Sequence, residues 1–451
     1  MRPLRVSARW VLPVDGPPLP DAAVLVGAAG RIAAVGAEAA VPRPDDALTV
    51  ALGDAALLPG LVNAHSHLEL TALRGLVRDL PFLDWLRTVR AIKDALDAEA
   101  FRASARWGVL EGFAAGITTH GDTGTTGQAA SALADLGARG VAYHEVIGPD
   151  PARRDEALEE LARALERSGP CRSERVAVGV SPHAPYTVSD PLLRAVAALA
   201  SARGLKAAMH VAESREERTL VEEGGGPFAD WLRSRGIPVQ PRGRSTVAWL
   251  EEAGFLACRP LLVHCVTAGE DDFALARGRG ATVAYCPSSN AALGHGRADW
   301  AAMRRAGIPV GLGTDSVAAG GRLDLFAEAR LAALGVGGLG PRALLSLATR
   351  DGAVALGEPD LGVLAPGTWG DLTAVGLGGP AFAAAADPET AVVWGATASD
   401  VVFTAVAGRV VFDRGRWPDV AVEAERAAYG RAAAAAATSR AAVSGAKFGR
   451  N

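Results

Sequence analysis

The middle of the chain alternates between short apolar runs and stretches with helical spacing. Eight runs rich in β-branched residues are separated by segments rich in Ala, Leu, Arg and Glu. The predicted strands cover 61–67, 116–122, 140–146, 176–183, 206–213, 260–266, 281–287 and 309–315. Between two of them, Ser189, Asp190 and Pro191 are residue types that favour the start of a helix. This alternation over residues 59–357 predicts an α/β fold, a (β/α)8 TIM-like barrel.

A doubly wound open sheet is the alternative reading of the same pattern. We favour the barrel because no glycine-rich phosphate-binding turn follows the first predicted strand. Short β-like runs, punctuated by Gly, Pro and Asp, precede and follow the barrel region. We expect residues 1–58 and 358–416 to form one small β-sandwich domain, and residues 417–451 to form a C-terminal helix and tail.

Composition narrows the class of protein. The 451 residues are 49% hydrophobic and 21% charged, which is typical of a globular chain. The net charge of −4 gives no basic surface for nucleic acid or for an anionic membrane. The four cysteines contain no C-x-x-C pair, which indicates a reducing compartment.

The start of the chain has no pattern of a signal peptide, and the sequence has no unbroken apolar stretch long enough to span a membrane. We therefore expect a cytoplasmic protein that acts on a small molecule, with neither nucleic acid nor membrane as a partner. A homodimer is compatible with the sequence.

Rare polar residues fall where the predicted strands end. In a barrel of this type, active sites lie at the carboxyl ends of the strands. His65 and His67 end the first strand, and residues i and i+2 of a strand share one face. His210, His264 and Asp315 end three further strands. Histidines with a carboxylate suit Zn²⁺ or Fe²⁺, so this set predicts a metal site.

Several segments, in this order, resemble the amidohydrolase superfamily: PGLVNAHSH, HVAES, VHC, CPSSN and GTDS. The resemblance is to the branch that contains cytosine, guanine and S-adenosylhomocysteine deaminases and the triazine hydrolases. It covers about residues 1–415 and implies the same barrel, with a β-sandwich built from both termini.

The resemblance also implies roles for individual residues. His65, His67, His210 and Asp315 match ligands of one divalent metal ion, most often Zn²⁺, with Fe²⁺ as the alternative. Glu213 matches a catalytic acid and base, His264 a catalytic hydrogen-bonding residue, and Asp315 the acceptor of a proton from water. The lysine that bridges two metals in other members is absent from the fourth strand, which implies a single ion. The implied reaction is hydrolytic deamination by a metal-bound hydroxide, since a metal lowers the pKa of water towards about 7.

The substrate is less closely defined. His183 matches a substrate-contacting residue of nucleoside-type deaminases. HSHLELTALRG, FLDWLRTVR, GGGPFADWL and CPSSNAALGHG resemble the aminodeoxyfutalosine deaminases of menaquinone biosynthesis, which act on an adenine nucleoside. S-adenosylhomocysteine deaminases carry a ribose-binding Glu where this chain reads RTVRAIKDAL, with Asp94 as a substitute. Guanine deaminase and triazine-type chlorohydrolase activities remain alternatives, as does a scaffold without catalysis.

Other polar residues have a structural and a functional interpretation. Glu69 and Arg74, which follow the H-x-H pair, either contact substrate or form a salt bridge within the loop. His120 and His144 fit structural roles, and His295 is a candidate for the rim of the pocket.

Overall fold

The computed structural model describes residues 2–336, 338–383 and 387–448. The chain begins with five strands of alternating and mostly apolar sequence. They are β1 (Leu4–Val11), β2 (Leu19–Val26), β3 (Ile32–Ala37), β4 (Leu48–Ala51) and β5 (Ala55–Pro59). β1 pairs with β2 antiparallel and with β4 and β5 parallel, so it lies at the centre of this N-terminal sheet.

The predicted barrel strands follow, each within three residues of its predicted limits. They are β6 (Leu61–Ser66), β7 (Ile117–Gly124), β8 (Arg139–Val146), β9 (Val176–Pro182), β10 (Ala208–Val211), β11 (Leu261–His264), β12 (Thr282–Tyr285) and β13 (Val310–Leu312). β6–β9 and β10–β13 form two parallel four-stranded sheets. Parallel bridges from Val180 to Ala207 and from Ser66 to Asp315 join the two sheets into a closed ring. The predicted (β/α)8 barrel is confirmed.

Helices surround this ring and extend beyond it. They are α1 (Phe82–Asp94), α2 (Ala98–Ala114), α3 (Gln128–Leu136), α4 (Arg154–Arg167), α5 (Asp190–Arg203), α6 (Arg215–Glu223), α7 (Gly226–Ser234), α8 (Thr246–Glu252), α9 (Glu270–Gly278), α10 (Pro287–Ala292), α11 (Trp300–Ala306), α12 (Leu325–Val336), α13 (Pro341–Leu347), α14 (Arg350–Ala355), α15 (Pro388–Thr390) and α16 (Val422–Phe448). The predicted start of α5 is confirmed, with Pro191 in its first turn. Within the described ranges, no helix combines the length and apolarity needed to cross a membrane.

The chain then returns to the sheet with which it began. β14 (Leu372–Gly376), β15 (Val401–Val406) and β16 (Arg409–Asp413) are joined antiparallel, and β14 pairs antiparallel with β5. Strands from both ends therefore share one sheet, in the order β16-β15-β14-β5-β1-β2-β3 with β4 beside β1. The boundaries at 58, 358 and 416 stay a prediction, and the tail residues 449–451 lie outside the described part.

Two apolar layers build the barrel. The inside of the ring is filled by small and β-branched side chains together with Tyr143, for example Val141, Ala208 and Ala284. A larger layer lies between the strands and the surrounding helices. Because successive side chains of a strand point to opposite faces, each strand contributes to both layers.

Candidate active site

The residues at the strand ends meet at one mouth of the barrel. His65 lies near the end of β6, and His67 follows it on the same face; His210 lies within β10. His264 and Asp315 both adopt the left-handed backbone region, with φ of 75° and 54°. That region costs about 1–3 kcal/mol for such residues and is found where surrounding structure imposes it, commonly at functional sites.

Four of these side chains converge on one small volume. Asp315 Oδ1 lies 3.4 Å from His65 Nε2 and 3.3 Å from His67 Nε2. His210 Nε2 lies 3.3 Å from His67 Nε2. The atoms of His65, His67 and His210 that could bind a metal lie within 4.8 Å of one another, as do those of His65, His264 and Asp315.

The hydrogen bonds of these side chains leave acceptor atoms facing each other. His210 Nδ1 donates to the carbonyl of His183 at 2.9 Å, so its neutral ring presents a lone pair at Nε2. Neither ring nitrogen of His65 has a hydrogen-bond partner among the described residues, although the residue is completely buried. Buried polar atoms without partners are costly. A cation in this volume would satisfy them, so the donor set fits a divalent metal.

Electrostatics at this cluster favour a positive charge. Burial lowers the pKa of His65 to about 4, which keeps the ring neutral, the form that binds metal. Burial also lowers the pKa of His67, but hydrogen bonding to Asp315 and the charge of Glu145 outweigh it and raise that pKa to about 9. A bound metal ion would take the place of the proton that Asp315 and Glu145 stabilise on His67.

Close packing of strands holds the candidate metal ligands in place. A Cβ atom at Gly313 would lie 2.9 Å from His65 Cβ and 2.8 Å from Cys286 Sγ, so only glycine lets the chain after β13 approach β6 this closely. Asn63 donates to Thr314 Oγ1 at 2.8 Å and accepts from the Thr314 amide at 3.0 Å. These contacts fix Asp315 opposite the two histidines.

Glu213 stands beside this cluster among three polar side chains. Its Oε1 lies 3.6 Å from His264 Nε2 and 3.3 Å from His295 Nε2, and Tyr186 donates to its Oε2 at 3.3 Å. Burial raises the pKa of Glu213, but the charges of His264 and His295 outweigh this and lower the pKa to about 2. The carboxylate is thus buried and ionised beside the rings of His264 and His295.

The segment CPSSN, at the start of α10, orients two members of the site. His264 Nδ1 donates to Asn290 Oδ1 at 2.9 Å, which leaves Nε2 directed at Glu213. The Ser289 hydroxyl donates to Asp315 Oδ2. Sequence reasoning did not assign roles in the site to these two residues, although their segment was part of the resemblance.

A comparison with known proteins decides the family. The profile described as "Amidohydrolase family" matches residues 56–411. This chain belongs to the amidohydrolase family. It is a hydrolase with deaminase-named relatives, as the sequence predicted.

Relatives of this amidohydrolase cover nearly its whole length. It is 33% identical to a 5-methylthioadenosine/S-adenosylhomocysteine deaminase of Nitratidesulfovibrio vulgaris, over 88% of this chain and 89% of that one. It is 30% identical to a 5′-deoxyadenosine deaminase of Methanopyrus kandleri, over 88% and 90%. A crystal structure of an adenosine deaminase from Xanthomonas campestris with bound zinc superposes with a TM-score of 0.85, at 27% identity over 96% and 98% of the two chains.

His183 lies at the edge of the cluster formed by His65, His67, His210 and Asp315. Its ring centroid is 4.9 Å from that of His210. Glu145, at the end of β8, has its Oε1 3.7 Å from His183 Nε2. Glu145 received no role from the sequence, but it points to the barrel interior because His144, next to it, points outward and bonds Ser168.

The two candidates that follow the H-x-H pair have separate partners. The buried Glu69 carboxylate accepts from the amide and hydroxyl of Thr126, and Gly124 makes room for it. Arg74 pairs with Glu111 and donates to the Gly321 carbonyl at 2.7 Å. Each thus has a protein partner, and a substrate contact by either residue stays a prediction.

The remaining candidate residues lie in different surroundings. Asp94 is exposed and accepts from Arg90 at 2.7 Å, and its role as a ribose-binding carboxylate stays a prediction. His120 is buried against α2, and His144 faces α3. His295 reaches Glu213 from the loop after α10, and its ring lies 4.4 Å from that of Phe82.

Proposed function

We propose that this amidohydrolase is a metal-dependent deaminase that hydrolyses the exocyclic amino group of an adenine nucleoside. The observation that carries the proposal is the position of Glu213. This buried carboxylate is contacted by His264, His295 and Tyr186, directly beside the cluster of histidines and Asp315. Deaminase names among relatives at 30% identity or more support the same reaction.

One divalent ion, most simply Zn²⁺, is part of the proposal. His65, His67, His210 and Asp315 would hold it, as their facing acceptor atoms suggest. A related structure with bound zinc supports the choice of metal. When bound, such an ion polarises the reacting centre and makes water more acidic. β9 carries no lysine that would bridge a second ion.

The side chains of the site divide the proton transfers between them. Asp315 Oδ1 is placed to receive one proton of the attacking water and to pass it to the exocyclic amino group, which departs as ammonia, while Ser289 holds Oδ2 by a hydrogen bond. Glu213 is placed to carry the other proton of the water to a ring nitrogen of the purine, which makes the adjacent carbon more electrophilic. His264, oriented by Asn290, donates to or accepts from the group at that carbon. General acid–base transfer of this kind contributes about 10²–10⁴-fold to the rate.

The substrate class that we propose is an adenine nucleoside modified at its 5′ carbon. The names of the relatives favour 5′-thio and 5′-deoxy nucleosides. Aminodeoxyfutalosine, the substrate that the sequence resemblance suggested, belongs to the same class. A place in menaquinone biosynthesis would follow only if that compound is the preferred substrate.

A substrate panel with the zinc-loaded enzyme tests the proposal. We would measure loss of adenine absorbance and release of ammonia from 5′-methylthioadenosine, S-adenosylhomocysteine, 5′-deoxyadenosine and aminodeoxyfutalosine, with guanine and a chlorotriazine alongside. We expect turnover of at least one adenine nucleoside. Turnover of guanine or the chlorotriazine alone would overturn the substrate class, and no turnover of any compound would favour the scaffold.

The variant Glu213→Gln tests the central residue. We expect kcat to fall by about 10²–10⁴-fold while the bound metal is retained, because Glu213 moves a proton and is not a ligand. Glu223→Gln, at the exposed end of α6, is the matched control and should behave as wild type. Loss of metal from Glu213→Gln would show that the role of Glu213 is wrongly assigned.

A further inference from the structure

Glu217, in the first turn of α6, is a buried carboxylate for which the proposed reaction provides no task. It is completely buried and lies four residues after Glu213. Its Oε1 accepts from the Ala212 amide at 2.6 Å, and its Oε2 accepts from the Glu213 amide at 3.0 Å. The Thr246 hydroxyl, at the start of α8, donates to Oε1 at 2.9 Å. Both oxygens of Glu217 therefore hold the backbone of the segment that carries Glu213.

The turn between β10 and α6 has a backbone conformation that its surroundings impose. Ala212 adopts the left-handed region with a φ of 51°, which is costly for a residue other than glycine. Its carbonyl accepts from the Thr267 amide at 2.8 Å and from the Thr267 hydroxyl at 3.1 Å. Its amide is the group that Glu217 holds. Both polar backbone groups of Ala212 are thus fixed from outside the turn, and the direction of the next residue, Glu213, is fixed with them.

The needs of helix α6 alone do not explain this arrangement. Ser214 caps the helix, and its hydroxyl accepts from the Glu217 amide at 3.1 Å. In a capping box, a glutamate at this position accepts in return from the amide of the cap residue. The Glu217 carboxylate instead reaches further back, to the amides of Glu213 and Ala212. Burial and the charge of Glu213 raise the pKa of Glu217 to about 7, although its three donors lower it, so an ionised acid is costly at this place. Its bonds serve the turn rather than the helix.

We propose that Glu217 is a positioning residue for the deamination: it holds the turn after β10, and the turn aims the Glu213 carboxylate. A general acid must lie within hydrogen-bond reach of the atom that it protonates, so a small displacement of Glu213 slows the transfer. Because its carboxylate bonds to backbone amides, Glu217 acts through Glu213 and not on the substrate. This inference rests on the proposed function, since it assumes that Glu213 carries a proton.

The test measures Glu217→Gln in the wild-type chain and in a Glu213→Gln background, with the adenine nucleoside of the panel that the zinc-loaded wild type turns over fastest. The NH2 group of the glutamine would face a backbone N–H group instead of accepting from it. We expect kcat and kcat/KM to fall equally, by about 10–10²-fold, since a misplacement of about 1 Å costs about 10²-fold. In the Glu213→Gln background the same change should alter kcat little, because the group that Glu217 positions is already gone.

Glu223→Gln removes a carboxylate from the exposed end of the same helix and, as the control, should behave as wild type. Thr246→Val removes only the donor from α8 and serves if Glu217→Gln does not fold; it should give a smaller fall in kcat that disappears in the Glu213→Gln background. Metal content and Tm are measured in every variant. A fall of equal size in both backgrounds would indicate loss of folded or metal-bound protein and would overturn the inference, as would an unchanged kcat in Glu217→Gln; either result leaves the deaminase intact. If wild type deaminates no compound of the panel, the proposed function fails and this inference fails with it.

Discussion

At the scale of single residues, the role of a histidine depends on the face of the barrel strand on which it lies. His65 faces the interior of the barrel with ligands around it, whereas His120 of β7 faces outward against α2. A Cβ at Gly112 would lie 2.8 Å from His120 Nε2, so glycine makes room for this ring. His120 is completely buried, and neither of its nitrogens has a partner among the described residues. Burial lowers its pKa to about 3, so the ring is held neutral in the folded protein.

This burial predicts a pH dependence of stability. An unfolded histidine titrates near 6.5, so unfolding takes up a proton wherever the pH lies between the folded and unfolded pKa values. The contribution of His120 is fully present above pH 6.5 and is lost as the pH falls from there towards 3. Compared with His120→Leu, wild type should therefore lose about 1.4 kcal/mol more unfolding free energy per pH unit below about 6. Urea unfolding of both proteins from pH 7 to 4.5 measures this, and parallel pH profiles would contradict it.

The alternation of faces also explains what the sequence could and could not reveal about the site. His65, His67, His210, His264 and Asp315 were found because strand ends in a barrel point to one mouth. The same parity places Glu145 inside and His144 outside, and the order His-Glu-Val at the end of β8 carries this signal. His295 and Ser289 follow the strands, where no period fixes the direction of a side chain. Their approach to Glu213 and Asp315 depends on the loop conformation.

At the scale of elements, α16 holds the segment that follows His65 and His67. The 3-10 turn Leu68–Leu73 begins directly after His67. Tyr429 of α16 donates to the Thr71 carbonyl at 3.2 Å, and Arg440 donates to the Leu76 carbonyl at 3.1 Å. Ala432 and Ala436 are buried in an apolar cluster shared with this turn and with α1. The sequence predicted a terminal helix but not this contact, because an alanine-rich helix shows no apolar face by pattern.

A charge in this contact should separate the helix from the turn. Ala436→Glu would bury a carboxylate where the exposed fraction is 0%, and it should cost a few kcal/mol of unfolding free energy. We expect kcat/KM to fall too, since the turn supports His67. Ala441→Glu adds the same charge at an exposed position of the same helix and should leave both quantities unchanged. Chemical denaturation and steady-state kinetics on the two variants provide the comparison, and equal behaviour of the two would contradict a supporting role for α16.

At the scale of the whole molecule, the site joins the first and last strands of the ring. His65 lies in β6, His67 directly follows it and Asp315 follows β13, so an ion held by them would join the first and last strands of the ring. The eight strands were predicted because each is a short apolar run between helical segments. The pairing of β5 with β14 was expected only in outline, since register between distant strands depends on contacts that no local pattern encodes.

Removal of the ion should therefore destabilise the whole chain. An ion that binds only the folded state adds about 4.1 kcal/mol when it is present at about 1,000 times its Kd. We expect about one equivalent of metal per chain, a lower Tm after chelation, and recovery on adding zinc. His65→Asn should have little metal and a Tm that chelator does not change. An unchanged Tm for wild type, with less than about a tenth of an equivalent bound, would contradict the predicted centre.

The sheet shared by both ends of the chain has a consequence for biosynthesis. β5 ends at Pro59, but its partner β14 begins at Leu372, so the whole barrel is translated between them. At about 5–20 residues per second, the edge of β5 waits roughly 15 to 60 s for its partner strand. During that interval an apolar strand edge is open to pairing with other chains. The yield of folded protein should thus depend on the speed of elongation through the barrel and on chaperones that cover this edge until β14 emerges.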